Sequence, residues 1–458
     1  MKKLTRIASP LPLLLLVFSM VFPATSVIGS PGTTASRSWT PREAVIFALQ
    51  NSPDSGIAAQ RINAASARRD MADAAFRPRL NLSAGYDQTN NPMFSFGNIL
   101  NQGSFDETID FNNPGRTDNL NMKAELLYRF YNGGRDEAGL DAAESARLST
   151  EKDRQTTYLQ LGFEVVRAFQ HIVQAGDQVS ARRAEFEAIS ASLDVAVARY
   201  EAGELLKADM LNFQVQRSRA SENLIISQHQ HELSKKIFLN LLGLEEGDVV
   251  INSESESTQT VPSPNNYLQR PEIAALQAER ARAEAELQQS AGQRYPTLDG
   301  FARYQYDYGF INDDAGDSWA AGLMLNYNLY DGQYSRAETA VKKAALQSVS
   351  EQLSKLKLAI NLEIQQAELN YNQAVERRAV TEQMVLVARE SAQLSRERFK
   401  QGLILSSDLI DVELRLTDAL VRQSAAKANY EIAIADLRRA AGLQQFSDTS
   451  ADLLENQL

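Results

Sequence analysis

Cysteine is absent from the 458 residues. Disulfides, thiolate metal sites, a cysteine nucleophile and an acylated N-terminal cysteine are excluded together. Histidine occurs only at His171, His229 and His231. The last two lie two residues apart and so point to different helix faces, and a histidine-based metal centre is not expected. Proline is missing between Pro114 and Pro262 and again after Pro296. An interior proline costs a helix about 3 kcal/mol, so these two stretches are where long helices can run. Beyond the N-terminus, no stretch approaches eighteen consecutive apolar residues, and the mean hydropathy is −0.34. A polytopic helical membrane protein is thereby excluded. Positive charge is in the minority: 47 Lys and Arg stand against 58 Asp and Glu, a net charge of −11 that argues against a nucleic-acid partner. Gly-x-Ser-x-Gly, His-Glu-x-x-His and a phosphate-binding loop are all missing, and the paired acids Asp313 and Asp314 sit in a polar stretch where solvation accounts for them. No enzymatic activity and no cofactor or metal are expected.

What is present begins with a targeting segment. Lys2, Lys3 and Arg6 precede an apolar run from Leu11 to Phe22, and small residues follow from Ala24 to Ser30. A basic start, a short apolar stretch and a small-residue cleavage zone make a secretory signal peptide, placed at 1–29. The run is too short to span a bilayer of roughly 30 Å as a helix.

The chain then repeats itself. Tyr131-Asn132-Gly133 recurs as Tyr330-Asp331-Gly332, Arg199-Tyr200-Glu201-Ala202-Gly203 as Arg398-Phe399-Lys400-Gln401-Gly402, and Leu242-Gly243-Leu244 as Ala441-Gly442-Leu443, each pair 199 residues apart. Earlier in each half the offset is 218, from Pro53 to Pro271 and from Pro78 to Pro296. The change of offset places 19 extra residues between Pro78 and Tyr131. Ordered matches at fixed spacing are the mark of duplication. The expected division is a first structural repeat at 30–244, a linker at 245–264, a second repeat at 265–443 and a C-terminal tail at 444–458.

Within the first proline-free stretch the heptad is explicit. Tyr158, Val165, Ile172, Val179, Phe186, Leu193 and Tyr200 are seven apart, with Leu161, Ala168, Ala175, Arg182, Ile189 and Ala196 filling the second seam position. A strict seven-residue repeat predicts a left-handed coiled coil. The second half carries a looser seam through Ile360, Ile364, Ala367, Tyr371, Ala374, Val385, Ala388, Ala392 and Phe399, interrupted by Arg378 and Thr381. A helix from Gly134 to Arg199 would reach about 100 Å at 1.5 Å per residue, more than a globular domain needs.

Four segments switch to period two: about 80–89, 119–131, 298–308 and 319–330. Leu120, Met122, Ala124, Leu126 and Tyr128 alternate with Asn121, Lys123 and Glu125; Tyr304, Tyr306 and Tyr308 alternate with Arg303, Gln305 and Asp307. Each is about ten residues long with aromatics near its ends, the pattern of transmembrane barrel strands. A soluble sheet with one buried face is the alternative. The connections Gln88–Asn119 and Gly309–Ser318 are polar and read as external loops. Each half is helix, strand, strand, helix. Four strands cannot close a barrel and open edges are not tolerated in lipid, so the chain has to oligomerise; three copies would supply twelve strands.

In this order and duplication the motifs resemble those of the TolC family of outer-membrane efflux proteins, over essentially the whole mature chain. Trp39-Thr40-Pro41-Arg42-Glu43-Ala44-Val45 looks like the family's opening helix, Arg270-Pro271-Glu272-Ile273 like its second-repeat opening, and Tyr131-Asn132-Gly133-Gly134 and Tyr330-Asp331-Gly332 like its strand-to-helix corners. Thr40 is placed to cap, with Pro41 at the first helical position and Glu43 completing a capping box. The resemblance implies an α+β homotrimer in the bacterial outer membrane, with a twelve-stranded barrel continuous with a long α-helical periplasmic tunnel. It implies a passive exit duct of a tripartite efflux or type I secretion system, docked to a periplasmic adaptor and through it to an inner-membrane transporter. An exported coiled-coil adaptor or adhesin without a pore is the alternative.

Gly203 and Gly402 break the long helices, each within seven residues of an acid that opens the next helix, Asp209 and Asp408. The family places these turns at the periplasmic tip, so Arg199, Tyr200, Gly203, Asp209, Arg398, Phe399, Gly402 and Ile404 are expected to carry adaptor docking. Asp408 and Asp411 match the family's acidic constriction pair. Three apart on one helix face, they would form two stacked rings of carboxylates in a trimer, favouring cations. As ordinary first-turn acids they would answer only the helix dipole. Phe399 and Ile404 depart from members with Tyr and Arg there, and the expectation is a gate that is either looser or held by apolar contacts.

Overall fold

The computed structural model describes residues 37–252, 261–262 and 270–446. The expected signal peptide at 1–29, parts of the expected linker at 245–264 and most of the expected tail at 444–458 lie outside the described residues. Two short helices open the chain, α1 (Pro41–Asn51) and α2 (Pro53–Asp73). Thr40 caps α1 with its side chain accepting from Glu43 N at 3.2 Å while the Glu43 carboxylate accepts from Thr40 N, the reciprocal capping box. Strand β1 (Arg37–Trp39) pairs in parallel with β4 (Val249–Ile251) beside them.

The remaining strands are β2 (Arg79–Thr89), β3 (Thr117–Tyr131), β5 (Thr297–Gly309) and β6 (Asp314–Asn326), and they form one antiparallel sheet in the order β2-β3-β5-β6. Pro78 and Pro296 stand immediately before β2 and β5. The central pairing joins the halves, with Leu120 opposite Tyr308 and Ala124 opposite Tyr304. Two boundaries differ from the sequence reading. The second connection is only residues 310–313, because Asp314–Ser318 continue the ladder against Gln305–Gly309. At its other end β6 stops at Asn326, opposite Thr297, so Tyr327–Tyr330 are not strand. β5 begins after Pro296, which has no N–H to extend the pairing.

The register assigns the two faces. Leu80, Leu82, Leu120, Met122, Tyr304, Trp319, Leu323 and Leu325 share one; Asn81, Asn121, Lys123, Glu125, Arg303, Gln305 and Asp307 share the other. The apolar face is bare: Leu82 and Trp319 are each 77% exposed and Leu323 68%. The polar face carries its own partners, with Arg303 Nε on Glu125 at 2.5 Å and Arg129 Nε on Asp299 at 2.9 Å. A sheet apolar on its free face and ion-paired on the other matches strands between hydrocarbon and an aqueous lumen.

From the sheet the chain turns directly into its longest helices, α4 (Arg135–Glu201) and α7 (Tyr334–Lys400), each of 67 residues. Both corners are built alike. Gly133 and Gly134 have φ of +74° and +77°; their counterparts 199 residues on, Gly332 and Gln333, have +69° and +70°. Asn132 Oδ1 accepts from Arg135 N at 3.0 Å, and Asp331 Oδ2 accepts from Ser335 N at 2.9 Å. The duplicated tripeptide is a left-handed corner with a side-chain cap.

α5 (Lys207–Leu242) and α8 (Ser406–Ala440) return antiparallel along them, and α6 (Pro271–Gly292) lies against α4 and α7. Along the α4 seam Val165, Ile172, Ile189 and Ala196 are buried; Tyr200 is exposed. Arg182 fits because it pairs at 2.9 Å with Glu185. In α7, Thr381 is no interruption: it is buried, its hydroxyl bonded back to the Arg377 and Arg378 carbonyls. The main core joins Trp39, Val45, Val165, Phe169, Ile172, Phe238 and Leu242 midway along the helices. Among the described residues no helix is long and apolar enough to cross a membrane.

A charged clamp holds the second half. Arg270 is buried and donates to Glu363, to Glu272 at 2.6 Å and to the Ala440 carbonyl at 3.2 Å; Arg439 Nη1 reaches Glu363 at 2.5 Å. Burial pushes the Glu363 carboxyl up, but Arg270 and Arg439 outweigh this and hold it below the usual carboxylate range. A group depressed in the folded state stabilises fully above its unfolded value, and that stabilisation is lost as pH falls through the folded one. Glu363→Gln should therefore lower the melting temperature at neutral pH, with the gap to wild type closing below about pH 4. At the corner, a Cβ on Gly133 would lie 2.5 Å from the Gly292 carbonyl oxygen, whereas one on Gly134 meets nothing within 4 Å. Gly133→Ala should cost about 3 kcal/mol and Gly134→Ala about 1 kcal/mol, read by thermal unfolding in detergent.

Candidate functional site

The two helical hairpins end at one level, where residues 202–206 join α4 to α5 and 401–405 join α7 to α8. Both turns use the same device. Gly203 and Gly402 adopt φ of +71° and +76°. Glu204 N donates to the Arg199 carbonyl at 2.8 Å and Leu403 N to the Arg398 carbonyl at 2.9 Å, closing the last helical turn in the same way. Leu206 and Leu405 precede the returning helices without a side-chain cap, and Asp209 and Asp408 stand in the first turns. The acids complement the positive end of the helix dipole.

Asp209 and Asp408 occupy equivalent places but not equivalent surroundings. Asp209 Oδ1 accepts from the Ser406 hydroxyl, so it ties one hairpin to the other. Asp408 is exposed, with the Ser407 hydroxyl at 3.5 Å. Asp411, also exposed, pairs at 2.5 Å with Arg415 on the next turn of α8. The Asp411 charge is therefore partly balanced within its own helix, a partner the sequence reading did not assign. An exposed i,i+4 pair contributes about 0.5 kcal/mol, so Arg415 is readily displaced.

A second tie is made by Arg199. Its Nη1 donates to the Phe399 carbonyl at 3.0 Å, its guanidinium lies 5.5 Å from the Phe399 ring centre, and Nε stands 3.6 Å from Glu204. Gly402 leaves room for it: a Cβ there would approach the Arg199 guanidinium to 3.0 Å. Phe399 is buried and Ile404 partly buried. Phe399 is 1% exposed, with Phe213 at 5.4 Å between ring centres, in a cluster with Leu193, Ala196, Leu409 and Ile410 against which Ile404 packs. Tyr200 and Arg398 are exposed. Of the docking candidates, Arg199, Phe399, Gly402 and Ile404 come together with Asp209 at the junction of the hairpins.

Behind the tip is a pair the sequence reading missed. Glu413 is 2% exposed and receives two bonds from Arg396, at 2.5 and 2.7 Å. The signal was available. Ser406, Ile410, Glu413 and Thr417 recur at three- and four-residue spacing along α8, so Glu413 stands in the seam and needs a cation opposite. Among the described residues, no cluster of three or more His, Asp or Glu could hold a metal ion. Arg396→Ala should cost about 2 kcal/mol by leaving Glu413 unpaired, and adding Glu413→Leu should restore most of it; a double-mutant cycle by thermal unfolding checks this.

The comparisons with known proteins agree with this geometry. The family model described as outer membrane efflux protein matches residues 47–236 and 265–443. The outer membrane protein TolC of Vibrio cholerae serotype O1 is 23% identical over 445 residues, covering 92% of this chain and 96% of that protein. The pyoverdine export outer membrane protein OpmQ of Pseudomonas putida is 23% identical over 411 residues, with 86% and 84% covered. The crystal structure of the Campylobacter jejuni CmeC outer membrane channel superposes with a TM-score of 0.78 at 14% identity, covering 94% of this chain and 97% of that one. Fold, strand pairing and motif order converge on one assignment: the chain belongs to the outer membrane efflux protein family.

Proposed function

We propose that the protein is the exit duct of a tripartite efflux or type I secretion system, working as a homotrimer that conducts passively from periplasm to exterior. The observation that carries this is a sheet bare and apolar on one face, continuous through left-handed corners with 67-residue helices. A helix of that length spans about 100 Å, enough to carry a lumen away from the membrane. The sheet has two unpaired edges, β2 and β6. In lipid those edges must be covered, and sister copies supply the same strands. The adaptor or adhesin alternative leaves the exposed apolar face without a role. Catalysis is no part of the proposal.

The boundaries we assign are the two repeats at 30–244 and 265–443, with the signal peptide at 1–29, a linker at 245–264 and a tail at 444–458. Gly243 and Gly442, with φ of +78° and +74°, end α5 and α8 in matching turns and support the placement. At the tip, Asp408 and Asp411 serve as the constriction. Their exposure on one face of α8 supports rings of carboxylates around a threefold axis, interleaved with Arg415. The paired hairpin ends, from Arg199 to Asp209 and from Arg398 to Ile404, offer the periplasmic adaptor its docking surface, and the adaptor links the duct to the inner-membrane transporter.

Purified protein in planar bilayers should give discrete, cation-preferring conductances. Asp408→Asn with Asp411→Asn should reduce the cation preference by several-fold. Absence of conductance from both forms would overturn the duct; unchanged selectivity would remove the two aspartates from the constriction.

A further inference from the structure

The 19 extra residues of the first half are not simply a loop. They carry α3 (Pro92–Asn101), capped by Asn91, whose side chain accepts from Met93 N at 3.1 Å. The helix is seated on the sheet by an almost fully buried polar seam. Gln102 Nε2 donates to the Asp118 carbonyl at 2.6 Å and to Asn119 Oδ1 at 3.2 Å, and the Ser95 hydroxyl reaches Thr117 at 3.0 Å. Gln102, Ser95 and Thr117 are each at most 1% exposed.

Two glycines fix which face of the sheet this is. A Cβ on Gly316 would lie 2.1 Å from the Asn101 carbonyl oxygen, and one on Gly309 would lie 2.3 Å from Gln102 Oε1. Gly316 pairs with Asp307 and Gly309 with Asp314, both in register with the ion-paired polar face. α3 therefore lies across the lumen face at the end of the sheet farthest from the helices, not on the lipid face. Its free side is apolar: Met93 is 79% exposed, Phe94 66% and Leu100 50%. Phe96 of the helix meets Phe105 and Phe111 edge-on, with Phe111 at 4.6 Å between ring centres. An apolar patch held on the aqueous side of a sheet calls for a cover.

We infer that this cover is the same helix from sister copies: three α3 segments meet over the outer exit and form an apolar constriction there, distinct from the acidic one at the tip. The inference rests on the trimeric duct reading. Two observations favour a sister copy over any other occupant. α3 is continuous with the lumen face that closure of the barrel turns inward, so three copies are brought toward one axis. The segment Pro92–Asn101 also carries no charged residue, so the helix itself brings no like charge to the approach of its copies. Only one α3 exists per chain, since the corresponding connection in the second half is residues 310–313. An apolar constriction resists hydrated ions by dewetting.

The absence of native cysteine makes the test direct. Met93→Cys and Phe94→Cys proteins, oxidised in isolated outer membranes or treated with a short bis-maleimide, should give covalent dimers on denaturing gels. Leu82→Cys, on the lipid face, should not. In planar bilayers, Met93→Ser combined with Phe94→Ser should raise single-channel conductance at least twofold. Conducting channels whose residue-94 cysteine stays uncrosslinked, or is labelled from the bilayer by a hydrophobic reagent, would overturn the inference and leave the duct standing. Loss of all conductance in the unsubstituted protein would instead remove the duct, and the inference with it.

Discussion

Backbone hydrogen bonding at the two edges of the four-stranded sheet is the constraint on which the rest of the architecture turns. β2 and β6 each leave a row of N–H and C=O groups without strand partners. In water those groups would be solvated; in hydrocarbon each one left bare costs several kcal/mol. With Leu82, Trp319 and Leu323 facing outward, the sheet is matched to hydrocarbon and its edges are not. In the proposed trimer, closure by sister copies meets both demands, and a closed ring of strands sets a ring of helices below it. The left-handed corners at 133–134 and 332–333 are where each chain passes from strand to helix.

The helical part meets a different demand, that of carrying charge through a narrow seam. Apolar and small residues such as Val165, Ala168, Ala196 and Ala392 let helices approach, and the charged residues inside that packing are paired. Arg182 with Glu185, Arg396 with Glu413, and the Arg270–Glu363–Arg439 group each place a guanidinium beside a carboxylate, with one buried member in each. Such groups add little net stability over an apolar substitute, but breaking one is costly, so they fix register.

The repeat, the seam and the strands were legible because each has a period: 199 residues, seven, and two. Thr40, Pro41 and Glu43 were legible because capping is local chemistry, and the capping box is present in full. What was not legible depends on groups far apart in sequence. The start of β6 at Asp314 is set by its partner strand, not by its own polar residues. The binding of Asp209 to Ser406 and of Arg199 to the Phe399 carbonyl links positions about 200 residues apart, and no spacing rule connects them. α3 was read as an external loop, although Asn91-Pro92 followed by Met93, Phe94, Phe96, Ile99 and Leu100 is a helix start followed by apolar residues. Phe399 belongs to the second seam by its spacing and to the docking set by resemblance; it is buried, against Phe213 of the neighbouring hairpin, a contact no spacing rule supplies.

The equal length of α4 and α7 has an evolutionary consequence. One added residue would push a hairpin end outward by about 1.5 Å and turn it by about 100°, throwing its glycine out of line with the other. Any change in span must therefore be made in both helices at once, and in steps of seven to preserve the seam. The connections between strands are under no such constraint, and there the first half differs from the second by a whole helix, α3.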